Sequence, residues 1–187
     1  MFYIQVIGIK FTSRNQYGDF YWMCMQNKYE NSLFIFNDNE EYHNTCKKGL
    51  GNAIIRIFNK YSKLNKPMSA GIPTGTLILG GYDKFTPKVK KTIDNAFEEI
   101  IELIKIHNYD TIYFSSELDG KLGTSIFNVN PKVIMYITSR IYKLSFNHIQ
   151  IVKSLQNDNF DNEFDFENEF NFENDNTNND TNILPIT

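Results

Sequence analysis

The sequence predicts an α/β layered domain built on a mostly parallel sheet, and three observations carry that prediction. Two short continuous apolar runs, Leu33-Phe-Ile-Phe36 and Thr111-Ile-Tyr-Phe114, have the character of strands buried on both faces. Between them lies a long helical stripe, Val89, Ile93, Phe97, Ile100, Ile101 and Ile104. A second helical stripe follows the second run, with Val133, Ile134, Ile137 and Ile141 turned inward.

Taken in order, Phe2 to Lys10 alternates, with Phe2, Ile4 and Val6 set against Tyr3, Gln5 and Ile7. Asp19 to Gln26 is aromatic and apolar, and the turn-forming Ser13-Arg-Asn-Gln-Tyr-Gly18 separates the two, which together predict an N-terminal β-hairpin. Leu33 to Phe36 is the first buried strand, followed by a loop at Asn37-Asp-Asn39. Asn52 to Asn59 is a short helix with Ala53, Ile54, Ile57 and Phe58 on one side. Ala70-Gly-Ile-Pro-Thr-Gly75 and the apolar Thr76-Leu-Ile-Leu79 suggest strand and turn. Thr86 and Pro87 are a cap and first-position proline for the long helix, and Asn130-Pro131 opens the last one.

Charge divides the chain. All 19 Lys and Arg lie at or before Lys153 with 13 acids, whereas nine acids and no cation follow it, so a body of +6 precedes a tail of −9. From Gln156 to Asn182 a Phe–Asp/Asn–Glu theme recurs with almost no aliphatic residue, a composition that buries too little apolar area to offset chain entropy. The expected organisation is therefore a folded domain over residues 1–155 and a disordered acidic tail over 156–187. The tail's phenylalanines make it a candidate partner-binding segment. No apolar run approaches the roughly 18 residues of a membrane span. No secretory signal is visible at the start, and two cysteines make no disulfide framework, so a reduced intracellular compartment is expected. His43 and Cys46 lack a second pair to complete a tetrahedral metal site. The lysines are scattered and no nucleic-acid motif occurs, so nucleic acid is a remote partner; it would show a salt-sensitive gel shift that strengthens without the tail. No cofactor is implied.

In a parallel sheet ligands gather beyond the carboxyl ends of the strands, which singles out the loops after Phe36 and Phe114. Past the first, Lys47-Lys-Gly-Leu-Gly51-Asn-Ala-Ile-Ile-Arg56 sets Gly49 and Gly51 directly before a helical pattern. Free amides at such a helix start attract an anion, and the planar fork of Arg56, about one turn on, suits a phosphate. The second loop, Ser115-Ser-Glu-Leu-Asp119-Gly120-Lys-Leu-Gly123-Thr124-Ser125, combines an acid, glycines and hydroxyls able to wrap phosphate oxygens, although Asp-Gly is equally an ordinary turn pair.

Four stretches resemble a family of short, mostly uncharacterised phage and giant-virus proteins with the pattern Phe-Gly-Asp-Asn, Gly-Gly-Gln-Ala with a following Arg, Asn-Ala-x-Gly-Ile-Pro-Thr and Asp-Gly-x-Gly-Thr-Gly. Here they read Phe36-Asn-Asp-Asn39, Gly51-Asn-Ala53 with Arg56, Ser69-Ala-Gly-Ile-Pro-Thr74 and Asp119-Gly-Lys-Leu-Gly-Thr-Ser125, in the same order over residues 32–144. Asn37 stands for the family Gly, Asn52 for Gln, Ser125 for the last Gly, and Gly75 where a Lys often follows the Thr. That family is similar to macro domains, which implies a three-layer mixed sheet flanked by helices and a site for ADP-ribose-type nucleotides. The resemblance implies that Asp38 and Asn39 face the distal ribose or scissile bond. The amides of Gly49 to Asn52 and of Gly120, Gly123, Thr124 and Ser125 would hold the diphosphate together with Arg56, and Thr74 joins the ligand-binding set.

The expected function is that of a viral accessory protein in the host cytoplasm that binds a phosphorylated, ADP-ribose-like ligand. If it also hydrolyses a derivative, Asp38 or Asp119 is the group to orient or deprotonate water. The alternative is a non-enzymatic viral interaction protein with a vestigial pocket and a partner-binding acidic tail.

Overall fold

The structure is a computed structural model that describes residues 4–124 and 127–156, with side chains to Ser145. Apart from Gln156, the expected acidic tail lies outside the described residues, as does Ser125.

Strand β1 (Gln5–Ile9) leads into helix α1 (Phe20–Cys24), a 3-10 turn at Asn27–Tyr29, and strand β2 (Ser32–Asn39). A 3-10 helix (Gly51–Phe58), strand β3 (Ser69–Thr76), the two-residue strand β4 (Gly80–Gly81), helix α2 (Pro87–His107), strand β5 (Thr111–Ser115) and helix α3 (Pro131–Gln156) follow. The sheet runs β1-β5-β2-β3-β4, parallel throughout except for β4, which returns antiparallel on β3. The molecule is thus mixed α/β with a five-stranded mixed sheet. Among the described residues no helix is long and apolar enough to cross a membrane.

β2 lies inside the sheet and all eight of its residues are buried. Because side chains alternate across a sheet, Leu33 and Ile35 face one way and Phe34 and Phe36 the other. Leu33 and Ile35 join Ile72, Ile112 and Phe114 beneath Ile93, Phe97, Ile100 and Ile104 of α2 and Val133, Ile137 and Ile141 of α3. Phe34 and Phe36 pack with Phe20, Met23, Tyr29 and Ile55 from the short helices on the opposite face. Helices therefore cover both faces. Thr86 caps α2 through a hydrogen bond from the Val89 amide (3.2 Å), and left-handed Asn108 ends it, as helix-boundary chemistry predicts.

Two expectations are corrected. The N-terminal hairpin does not form: β1 pairs in parallel with β5, Gln5 opposite Thr111, and the aromatic stretch after Asp19 is helical. The Asp19 carboxylate accepts from the amides of Tyr21 (3.1 Å) and Trp22 (3.4 Å), and Phe20, Met23 and Cys24 recur at i, i+3 and i+4 to bury one face. Capping and burial thus override the strand preference of Phe-Tyr-Trp. The expected strand and turn both form: the strand around Pro73 runs from Ser69 to Thr76, and Leu77-Ile-Leu79 swings out as a turn with Ile78 90% exposed. β4 reaches only Gly75 and Thr76, so no named strand lies opposite Pro73 on the outer side, which suits a residue with no amide hydrogen. In the Gly51–Phe58 helix the buried residues are Ile55 and Arg56, while Ala53, Ile54 and Phe58 are half-buried. Three residues per turn in place of 3.6 rotates which positions face inward.

Candidate functional site

A cleft of about 630 Å³ opens at the carboxyl ends of β1 and β5, within the 300–1,000 Å³ range of small-molecule sites. Three segments wall it: the loop after β1 with Lys10, Phe11 and Arg14, the start of α1 with Asp19 to Tyr21, and the loop after β5 with Ser115 to Glu117 and Gly123. Gly51, at φ +56°, and Asn52 add the start of the 3-10 helix.

A relay of hydrogen bonds ties the cleft to the strand ends. Asn52 Nδ2 donates to Ser115 Oγ (2.7 Å) and to Asn37 Oδ1 (2.9 Å), and Asn37 Nδ2 donates to the Thr124 carbonyl (3.1 Å). The Gly123 amide donates to the Ser115 carbonyl (2.9 Å), closing the loop over β5. With Asn52 donating to its oxygen, the Ser115 hydroxyl retains a proton to offer. Ser116 Oγ donates to the Glu117 carbonyl (2.7 Å). Lys10 and Glu117 form an exposed pair at 3.4 Å. Arg14 has no acidic partner among the described residues, and Phe11 is 50% exposed. The Asp19 carboxylate is occupied in capping α1 and also accepts from the Asn15 amide (2.9 Å). The cleft thus offers an unpaired cation in Arg14 beside the Lys10–Glu117 pair, a hydroxyl donor and aromatic surface from Phe11 and Tyr21, a set suited to an anion joined to a flat ring.

The residues singled out in the sequence divide into three groups. Gly51, Asn52 and Gly123 line the cleft. Asp38, Asn39, Gly49, Arg56 and Thr74 gather instead in a buried cluster behind it. There Arg56 Nε donates to both Asp38 oxygens (3.1 and 3.0 Å), Nη2 donates to Asp38 Oδ1, and Nη1 donates to the Lys47 carbonyl (2.7 Å). Each side chain is 1% exposed, and the Tyr42 ring lies over the guanidinium at 5.5 Å. Asn39 Oδ1 accepts from the Tyr42 amide (2.9 Å), holding the segment that covers the pair, and Thr74 Oγ1 donates to the Asp38 carbonyl (3.3 Å). Two motif glycines make the room: a Cβ on Gly71 would come within 2.5 Å of Asp38 Oδ2, and one on Gly49 within 2.6 Å of the Ala53 Cβ. A buried carboxylate and guanidinium satisfy each other, and neither reaches the cleft.

Asp119, Gly120 and Thr124 form the third group. Asp119 is exposed on a turn, bonded to Lys121 through Nζ (2.7 Å) and the amide (3.1 Å), and those hydrogen bonds hold its carboxyl below the ordinary aspartate value. Gly120, at φ +79°, is that turn's corner, and Thr124 Oγ1 donates to the Phe127 carbonyl (3.0 Å). Asn39, Arg56 and Asp119 therefore do not converge on one cleft. No local signal marks Lys10, Phe11 and Arg14, since Lys10 ends an alternating stretch and Arg14 falls in a turn-forming one. The rule about carboxyl ends of parallel strands applies to β1 only once β1 is known to pair with β5.

Among the described residues no group of three or more His, Cys, Asp or Glu is placed to hold a metal ion. His43 packs beside Glu99 (Nε2 to Oε2, 4.0 Å), and its buried Nδ1 has no hydrogen-bond partner. Burial, helped by Lys60 and Arg56, pushes its pKa down against the opposite pull of Glu99 and Asp38. Compared with family models, with curated proteins and with solved structures, the chain shows no significant match to any of them.

Proposed function

We propose that the chain is a macro-like domain, akin to the phage and giant-virus proteins it resembles, that binds a phosphorylated nucleotide of the ADP-ribose type. The observation that carries the reading is the cleft at the carboxyl ends of β1 and β5, whose lining combines Arg14, Lys10 and Ser115 with the aromatic residues Phe11 and Tyr21. It lies where open α/β sheets collect ligands. Arg14 and Lys10 meet the phosphates, Phe11 stacks on the base, and Asn52 keeps Ser115 oriented. Binding is favoured over hydrolysis, because Asp38 is locked in its ion pair and Asp119 points to solvent on Lys121. Calorimetric titration and thermal-shift screening with ADP-ribose, NAD and mononucleotides test this. The expected result is saturable binding that Arg14→Ala weakens by about tenfold, the scale of one lost charge-assisted contact. No response to any of these ligands at millimolar concentration would refute it.

One observation favours the alternative, an interaction protein with a vestigial pocket: the motif arginine, Arg56, is sealed away from the cleft. That reading predicts no ligand response, together with a protein partner lost when the tail's acids are neutralised.

A further inference from the structure

Positive charge on the folded part is not evenly neutralised. Lys60, Lys90, Lys121 and Arg140 pair with Glu99, Asp94, Asp119 and Asp94. At the cleft Lys10 pairs with Glu117 in the same way, whereas further cations around its mouth pair with no acid among the described residues. Arg14, on its wall, and Lys48, whose ammonium sits 5.3 Å from the ring of Tyr21, have no acidic partner among the described residues. Lys28, 5.7 Å from the ring of the neighbouring Trp22, likewise has none. A cation seated on an aromatic face keeps most of its charge for a further anion. Apolar surface is interleaved with these cations, since Phe11 and Tyr17 are each about half exposed.

The chain itself carries one segment of matching chemistry. Between Asp158 and Asp180 there are nine carboxylates, five phenylalanines (Phe160, Phe164, Phe166, Phe170, Phe172) and no Lys or Arg. We propose that this segment docks in cis on the mouth of the cleft, its carboxylates on Arg14 and Lys48 and its phenylalanines against Phe11 and Tyr21, and so competes with the phosphorylated ligand. Reach is no obstacle. The 25 residues from Gln156 to Asp180 span up to about 80 Å when extended, against a radius of gyration of about 15 Å for a domain of this size. Tethering holds the segment at an effective concentration in the millimolar range, so a contact with a dissociation constant near 1 mM in trans is about half formed in cis. The competition rests on the nucleotide reading; the docking does not.

The test uses the full-length chain in two forms, native and with all nine tail acids converted to their amides. A fluorescent peptide of residues 157–187 is titrated with the amidated chain at low salt and followed by anisotropy, and both chains are titrated with ADP-ribose. The expected result is peptide binding that Arg14→Glu weakens at least about fivefold and that Lys105→Glu, an equal charge change on the exposed end of α2, leaves unchanged. The amidated chain should bind ADP-ribose about two- to tenfold more tightly than the native one, with the gap closing near 0.5 M salt. No anisotropy change at millimolar concentration, equal losses from the two charge reversals, or equal ADP-ribose affinities would overturn the proposal. Peptide binding by a chain that does not bind ADP-ribose would keep the docking and discard the nucleotide reading.

Discussion

The Asp38 and Arg56 side chains sit 1% exposed with all three guanidinium nitrogens committed, so their energetics depend on being removed together or singly. Removing one charge strands the other in a site built to exclude water, at a cost of about 3–5 kcal/mol, whereas replacing both with apolar groups is often close to neutral. Asp38→Asn should therefore lower unfolding free energy in urea by about that amount, and Asp38→Leu combined with Arg56→Met should lose clearly less than the two single losses added. Additive losses would show that the pair is not coupled. Both residues stand in motifs of the sequence, where they read as ligand-facing groups; their burial against each other is not legible there, because contact between residues 18 apart depends on the space that Gly71 and Gly49 clear for them. His43 poses a different problem at this scale. Burial keeps its folded pKa below the unfolded value of about 6.5, so the unfolded chain takes up the proton first as pH falls. The stabilisation it contributes is complete above about pH 6.5 and drains away as pH drops toward the folded pKa. Urea midpoints between pH 8 and 5.5 should fall more steeply for the native chain than for His43→Gln; parallel curves would show that His43 does not titrate with unfolding.

At the level of elements, α1 shows how little local chemistry separates a helix from a strand. Its five residues, Phe-Tyr-Trp-Met-Cys, favour a strand by type, and one carboxylate together with one apolar face decides otherwise. Asp19→Ala should cost about 1 kcal/mol, the ordinary worth of an N-cap, and should also loosen the cleft wall that α1 begins. A measured change under 0.3 kcal/mol would show that packing of Phe20 and Met23 alone holds the helix. α2 is the opposite case: Thr86, Pro87 and a stripe of apolar residues specify its start, length and inward face, and all three agree with the structure. Between these extremes lies the segment after Thr76. Its apolar triplet forms the expected turn after β3 and faces outward, the Leu77 amide bonded to the Glu41 carboxylate (3.0 Å).

Across the whole molecule, the order β1-β5-β2-β3-β4 brings the ends of β1 and β5 side by side although more than a hundred residues separate them. That adjacency makes the cleft, and it places Arg14 near Ser115 and Asn52. The split in charge was legible from composition alone, as were the buried strands at Leu33 and Thr111 and the helices at Pro87 and Pro131, since period-two and period-3.6 burial and helix caps are written locally. Partner choice between strands is not. It depends on which apolar faces meet across long separations, and the same residues that alternate as a hairpin arm also alternate as the edge of a parallel sheet. The sequence by itself determined the α/β class, the central strand, both long helices and the contrast between basic body and acidic end. Only the tertiary structure decided that the motif residues Asp38 and Arg56 face each other in the interior while Lys10, Phe11 and Arg14 face the cleft, because burial and proximity are properties of the assembled sheet and not of any stretch of chain.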